Sequence, residues 1–299
     1  MTTSADVTKT GTKPIVAAVD GATDNSSAVD WAANEAARSG LPLRVVTVTE
    51  TAVMQTPPYV LEPIEFDHAA HLRSVLDGTA SNLRRTHADV QIDTGVRVDD
   101  PVLGLVAEAQ DATMLVVGKR GLGAVKRLTV GSTSIALAGR SPAPTVVVPD
   151  TWTAADNDGE SILVGLDINQ ESDELLGFAF ARAAELGVPL VVMHVWDTHP
   201  AVVPSDADVK RWGDEARAAV EAAIAPWREK FPDVQALAAQ RHAHHAQGLL
   251  DAGDHAQLVV LGRHTVGHSP LGLPLRSTTR KVLHYCERPV AVVPTAVDS

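Results

Sequence analysis

The chain has 299 residues, of which 45% are hydrophobic, and this is enough for one large domain or two domains of typical size. Its formal net charge of −12 at pH 7 argues against a broad nucleic-acid or anionic-membrane surface. A single cysteine, Cys286, excludes an internal disulfide framework and fits a reducing compartment.

The first 13 residues are polar and contain no apolar run, so they predict a disordered tail rather than a signal peptide. No apolar stretch in the chain approaches the length of a membrane span. We therefore expect a soluble, cytoplasmic protein with no nucleic-acid and no membrane partner.

The chain repeats itself at an offset of about 147 residues. Four strand-like segments recur in the same order: PIVAAVD and SILVGLD, SGLPLRVVTV and LGVPLVVMHV, ATMLVVG and AQLVVLG, PTVVVP and PVAVVP. A period this long indicates two whole domains rather than a solenoid. We place the first domain at 14–150, a polar linker at 151–160 and the second domain at 161–299.

Helical patterns separate these strands in both copies. Residues 26–40 begin with hydroxyl groups and end on glycine, and residues 171–187 are their counterpart. A second helix is predicted at 68–87 and at 209–230, where Pro226 indicates a kink or break. Apolar strands alternating with helices predict two tandem doubly wound (Rossmann-like) α/β domains, each with a mainly parallel five-stranded sheet. Ligands of such sheets bind at the carboxyl ends of the strands.

One stretch of the first copy has the layout of a phosphate-binding loop. An apolar strand from Met114 stops at Gly118, Gly121 and Gly131 follow, and Ser132 and Thr133 open a helix. Glycine backbone and a helix N-terminus can direct N–H groups at an anion, and hydroxyl side chains add hydrogen bonds. The basic side chains of the loop, which raise the local potential, are Lys119, Arg120, Lys126 and Arg127.

The spacing G-x2-G-x9-G-[ST] resembles the ATP-binding motif of the universal stress protein family. A first strand ending at Asp20 and a valine-rich last strand ending at Pro149 support this resemblance, which covers nearly the whole chain. The resemblance implies that Asp20 lies near the adenosine, that the backbone of Val48 meets the adenine, and that the glycine motif holds the ribose and phosphates. It also implies ATP as the ligand, with magnesium as an optional companion.

The second copy departs from this motif. Gly262 is kept, but Thr265 replaces Gly121, and Arg276 replaces Gly131 with Ser277 beside it. We expect a non-glycine residue at positive φ to cost about 1–2 kcal/mol, and the arginine side chain to fill phosphate space.

The adenosine end of the second copy is preserved at Asp167 and Val195. Three outcomes stay open for this site: nucleotide binding with altered geometry and Arg276 as a charge partner, binding of something else, or a purely structural role.

The leading functional hypothesis is an ATP-binding regulatory or sensor protein in stress response or growth control, with no catalytic residue. An ATP-hydrolysing or nucleotidyl-transfer enzyme on the same fold is the alternative, although the first turn, VDGATDNSS, lacks the motifs of such enzymes. A third hypothesis is an interaction module whose clefts are vestigial.

Assembly follows from the last strands, which are short and strongly apolar. The family resemblance implies that these strands pair across a two-fold-like interface, so the two copies would form an internal pseudo-dimer. We also expect a homodimer of the whole chain and a protein partner that the sequence does not identify.

Several other side chains invite a role. His242 and His244 would share one face of a strand, but no ligand set completes a metal site, so we predict none. His194, at the end of a strand, is expected to form a hydrogen bond. We expect Cys286 to be a buried hydrophobe, the segment 56–66 to be a long ordered loop, and four tryptophans to be packing anchors: Trp31, Trp152, Trp212 and Trp227.

Overall fold

A computed structural model describes residues 12–20, 27–50, 68–119, 130–155, 161–198, 204–264 and 275–295. The strands are β1 (Ile15–Val19), β2 (Leu43–Thr49), β3 (Ile92–Val98), β4 (Met114–Gly118), β5 (Thr145–Val148), β6 (Ser161–Gly165), β7 (Leu190–Trp196), β8 (Ala236–His242), β9 (Ala256–His264) and β10 (Val290–Thr295). The helices are α1 (Ser27–Ser39), α2 (His68–Thr86), α3 (Pro101–Ala109), α4 (Ser132–Arg140), α5 (Asp173–Leu186), α6 (Asp206–Lys230), α7 (His245–Gly253) and α8 (Ser277–Tyr285).

The strands form one ten-stranded sheet in the order β3-β2-β1-β4-β5-β10-β9-β6-β7-β8. Within each half the five strands are parallel, and the halves meet where β5 and β10 pair antiparallel. The predicted doubly wound fold with five strands in each copy is confirmed, and the two final strands do pair within the chain. A dimer of two whole chains stays a prediction.

The register of the β5–β10 pair defines a pseudo-two-fold axis. Val146 faces Ala291, and these two residues occupy equivalent positions of the repeat. The flanking pairs, Thr145 with Val292 and Val147 with Val290, exchange under the same rotation. The junction between the halves, which we call the seam, is therefore symmetric in backbone although its side chains differ.

Both faces of the sheet are covered by helices. Alternate residues of β1 show this: Ile15 and Ala17 pack on the side of α1, α2, α5 and α6, whereas Val16 packs on the side of α3, α4, α7 and α8. The strands are apolar on both sides because both sides are buried.

Most predicted helix ends lie within two residues of the observed ones. Gly40 and Gly187 follow α1 and α5 with φ values of 64° and 65°, a left-handed conformation that favours glycine. Helix α6 begins three residues earlier than expected because Ser205 and Asp208 form a capping box there.

The break predicted at Pro226 is wrong, since α6 continues to Lys230. Proline lacks one N–H donor close to the end of this helix, where few intrahelical bonds remain to be lost. Aromatic packing holds the last turn, with the Trp227 and Phe180 ring centroids 6.0 Å apart.

Three of the packing predictions are confirmed among the described residues. Trp31 and Trp152 are each 4% exposed, and Cys286 is buried. Burial raises the pKa of the Cys286 thiol above its usual range, which suits an inert side chain.

The loop predicted at 56–66 lies outside the described residues. No helix in the described ranges is long and apolar enough to cross a membrane.

Candidate functional site

The strand order reverses between β1 and β4 in the first half and between β6 and β9 in the second, which creates a topological switch point in each. In the first half β1 pairs in parallel with both β2 and β4, with Val19 opposite Thr47 and Ala17 opposite Val116. This register brings Asp20, Val48 and Gly118 to the same edge of the sheet.

The start of α4 is fastened to the end of β4. The Gly131 N–H donates to the Lys119 carbonyl at 2.7 Å, and the Ser134 hydroxyl donates to the Gly118 carbonyl at 2.7 Å. The predicted residues Ser132 and Thr133 lie in the first turn of α4, where backbone N–H groups have no intrahelical acceptor. Their donors face the cleft end of the helix, whereas the Ser134 hydroxyl proton is already used.

The expectation of positive φ at the Gly131 position is wrong. Gly131 has φ −64° and ψ 149°, and Arg276 has φ −55° and ψ 152°, so both residues precede their helices in the same ordinary conformation. Arg276 therefore carries no backbone strain. The difference between the halves is the side chain itself: Gly131 has none, whereas Arg276 places a guanidinium before α8.

The Lys119 ammonium group donates to the Cys286 carbonyl of the other half at 2.9 Å. Two further predicted residues, Arg120 and Gly121, lie outside the described residues, as does Thr265.

In the second half the predicted residues line one cavity of about 680 Å3 at the carboxyl edge of β6, β7 and β9. All five lie in its wall: Asp167, Val195, Gly262, Arg276 and Ser277. This volume falls within the range of small-molecule pockets, roughly 300–1,000 Å3. The alignment of Arg276 with Gly131, made by counting back from the last strand, is also supported, because each residue caps its helix.

Arg276 bridges this cavity. Its Nη1 lies 3.2 Å from the Asp167 Oδ2, so the pair joins the start of α8 to the end of β6. The Asp167 Oδ1 accepts a hydrogen bond from the Asn169 backbone N–H, which fixes the carboxylate after the strand.

His194 also lines the cavity, and its expected hydrogen bond is present. The His194 Nδ1 lies 2.9 Å from the Leu166 carbonyl, and the side chain is buried. This contact ties β7 to the turn that carries Asp167.

Sequence reasoning missed the aromatic wall of the cavity. The Trp196 indole lines it, stacks on His242 with centroids 4.2 Å apart, and donates to Gln240 at 2.7 Å. The available signal was an aromatic residue at a strand end where the first copy has Thr49. His242, singled out as half of a metal pair, serves instead as the stacking partner. Within the described ranges, no three His, Cys, Asp or Glu side chains come together as a metal site.

Two glycines let helices approach the valines of each cleft. A Cβ added at Gly104 of α3 would lie 2.7 Å from the Val48 Cγ1, and one at Gly248 of α7 would lie 2.7 Å from the Val195 Cγ1. The same close approach in both halves holds the two valines at their strand ends.

Reciprocal hydrogen bonds cross the seam between the clefts. Lys119 donates to the Cys286 carbonyl at the end of α8, and Arg263 donates to the Ser141 and Gly139 carbonyls at the end of α4. Lys119 and Arg263 are equivalent positions of the repeat, as are Ser141 and Cys286. Each half thus places a cation at the helix C-terminus of the other, where the helix dipole favours positive charge.

The sheet consists of two repeated parallel halves, each with a cleft at its switch point. This arrangement defines a tandem doubly wound α/β protein. The chain belongs to the universal stress protein family, in its tandem form: the profile of the "Universal stress protein family" matches residues 11–149 and 160–294.

Curated relatives share this length and arrangement. A universal stress protein of Mycolicibacterium smegmatis is 32% identical over 284 residues, which cover 93% of this chain and 96% of that protein. A universal stress protein of Mycobacterium tuberculosis is 29% identical over 283 residues, with the same coverage.

A solved structure supports the fold. A universal stress protein from Archaeoglobus fulgidus aligns with a TM-score of 0.62 at 16% identity, covering 93% of this chain and 98% of that one.

Proposed function

We propose that this protein binds ATP in the cleft of its first half and that the bound nucleotide acts as a regulatory signal in stress response or growth control. The observation that carries the proposal is the convergence of Asp20, Val48 and the start of α4 at one switch point, where the glycine spacing of the motif is intact. The second half supports it, because the equivalent residues there line a ligand-sized cavity.

The chemistry of the first cleft suits a phosphate group. The N-terminal turn of α4 presents Ser132 and Thr133, and the helix start contributes roughly half a positive charge. Gly131 itself adds no side chain in front of these donors. Asp20, at the neighbouring strand end, offers a carboxylate of the type that accepts hydrogen bonds from ribose hydroxyls.

In this proposal ATP is a ligand rather than a consumed substrate. Phosphoryl transfer needs a positioned base or water-orienting group and metal carboxylates beside the terminal phosphate. The Ser134 hydroxyl, which could have served as a nucleophile near the loop, donates to a backbone carbonyl. The domain limits given above, a whole-chain dimer and a cytoplasmic location belong to the same proposal.

The test is nucleotide release from freshly purified protein under denaturing conditions, together with calorimetry of added ATP with and without magnesium. We expect about one ATP per chain in the first cleft and no release of inorganic phosphate over hours. The Gly131→Leu variant should weaken ATP binding at least tenfold, because the side chain fills the space before α4 while its backbone angles stay allowed.

Gly78→Ala is the matched control, since a Cβ added at Gly78 of α2 meets no atom within 4 Å. This variant should bind ATP as the parent does. A parent chain that neither carries ATP nor shows heat on its addition would refute the proposal. Steady phosphate release that depends on an acceptor would favour the enzyme instead.

A further inference from the structure

Among the described residues that line the second cleft, one guanidinium stands at the position that Gly131 occupies in the first half. Arg276 precedes α8 and reaches Asp167 across the cavity, whereas the equivalent Gly131 has no side chain. The Arg276 side chain is 60% exposed and the Asp167 side chain is 39% exposed. An exposed pair of this kind contributes little to stability, so a phosphate can take over the guanidinium at small cost.

The other cation of this region is committed elsewhere. Arg263, at the end of β9, is buried and donates to the Gly139 and Ser141 carbonyls across the seam. Among the described residues that line the cavity, Arg276 therefore supplies the fixed positive charge, against the carboxylates of Asp167, Glu171 and Asp197. The corresponding segment of the first copy is richer in cations even without Lys119, the equivalent of Arg263, because its sequence adds Arg120, Lys126 and Arg127.

The cationic groups of the cavity can receive one phosphate group and not three. A monophosphate ester carries about 1.5–2 negative charges at pH 7. One guanidinium together with the α8 N-terminus supplies about 1.5 positive charges in the same place. Each added phosphate brings further negative charge toward three carboxylates, with no additional fixed cation in the described cavity wall to receive it.

The room available in the cleft also favours a single phosphate group. The Arg276 side chain reaches from the start of α8 to the Asp167 carboxylate, so it takes up room in front of the helix that Gly131 does not fill in the first half. The remaining cavity of about 680 Å3 has Trp196 and Val195 in its wall, which offer an aromatic and an apolar surface to a base.

We propose that Arg276 makes the second cleft selective for a nucleotide with a single phosphate, which its guanidinium binds together with the N-terminal turn of α8. This inference rests on the proposed function for its assignment of the clefts to adenine nucleotides. The chain then holds two different nucleotides at once, a triphosphate in the first half and a monophosphate in the second.

The experiment is calorimetry on the full chain with three probes: AMP, adenosine and ATP. With ATP saturating the first cleft, AMP should bind at one further site per chain, at least tenfold more tightly than adenosine. The Arg276→Gly variant, which installs the first-half residue, should bind AMP at least tenfold more weakly and adenosine unchanged. Lys210→Met, which removes an exposed cation of α6 outside the cavity wall, is the matched control and should bind AMP as the parent does.

Two ATP molecules per chain with no further heat from AMP would overturn the inference and leave the proposed function standing. An Arg276→Gly variant with AMP affinity within twofold of the parent would also overturn it. Absence of ATP from the first cleft would instead refute the proposed function, and the AMP comparison between the parent and Arg276→Gly would still decide the role of Arg276.

Discussion

The seam and the two clefts have diverged in different ways since the repeat arose. At the seam, Lys119 and Arg263 differ in sequence but perform the same task, each reaching a helix C-terminus of the other half. In the clefts, Gly131 and Arg276 share backbone conformation but leave different spaces and charges. At the seam the substituted residues keep equivalent acceptors, whereas at the start of α4 and α8 the substitution changes the charge in front of the helix. The predictions below test this contrast.

The largest effect is expected at the buried ion pair of the seam. Glu35 of α1 pairs with Arg182 of α5, and their side chains are 1% and 6% exposed. The Glu35→Gln variant leaves the buried Arg182 charge paired with the half-exposed Glu185 carboxylate in place of a fully buried one, which should cost about 3 kcal/mol of unfolding free energy in urea denaturation.

The control for this variant is Asp214→Asn, which breaks the exposed pair with Lys210 at 69% and 78% exposure. That change should cost less than about 1 kcal/mol. If Glu35→Gln lost as little unfolding free energy as the control, water would have to reach the Glu35–Arg182 pair on the pseudo-two-fold axis. The seam would then be less tightly packed than its contacts indicate.

A second effect concerns the hydrogen bonds that Arg263 makes across the seam. The Arg263→Met variant leaves the Gly139 and Ser141 carbonyls without this donor and should cost about 2–3 kcal/mol of unfolding free energy in urea denaturation. Methionine keeps the aliphatic stem, so the loss reports the hydrogen bonds. A loss below about 1 kcal/mol would show that these two bonds contribute little to the seam.

A smaller effect should appear behind the clefts. Gly104→Ala places a Cβ 2.7 Å from the Val48 Cγ1 and should destabilise the fold by about 1–2 kcal/mol, with weaker ATP binding as Val48 is displaced. Gly78→Ala, in open space on α2, should stabilise it by about 0.5–1 kcal/mol. Thermal unfolding of both variants checks this, and a Gly104→Ala chain as stable as its parent would show that α3 can shift.

The smallest expected effect is a pH dependence of stability that arises from one residue of the second half. His284 of α8 faces the seam, where the Val130 N–H donates to its Nδ1 at 3.4 Å; Gly139 occupies the equivalent position of α4. Burial, with the positive charges of Lys119 and Arg280, lowers the pKa of His284 below its usual 6.5.

Because the folded protein binds this proton less readily than the unfolded chain, the stabilisation is complete above pH 6.5 and is lost as the pH falls toward the lowered pKa. Unfolding free energies at pH 7.5 and pH 5.5 should therefore differ more in the parent than in His284→Gln. An identical pH dependence in both chains would exclude this histidine as a contributor.

Much of the cleft could be predicted because single strands and the turns after them place its residues. Asp20 and Asp167 follow apolar strands and Val48 lies at the end of one, and parallel strands bring their carboxyl ends to one edge. Counting back from the last strand correctly predicted the position of Arg276 before α8. The backbone strain that we expected at this residue is absent, since the sequence does not reveal the backbone angles of the residue before a helix.

The seam could not be predicted in the same way. Glu35 and Arg182 lie 147 positions apart, and their contact exists only because the antiparallel pair of final strands fixes where α1 and α5 meet. The aromatic wall at Trp196 likewise depends on His242 of a neighbouring strand. Both contacts require the register of strands that are distant in the chain.

Glu35 and Arg182 also occupy the same position of the repeat. Their contact therefore bears on how the duplicated chain evolved. A symmetric pair of first halves would set two glutamates against each other on the axis, and a pair of second halves would set two arginines there. Once these opposite charges were fixed, neither half could replace its neighbour by a copy of itself. The duplicated protein thereby lost the freedom to return to a symmetric ancestor, and its two halves became free to specialise.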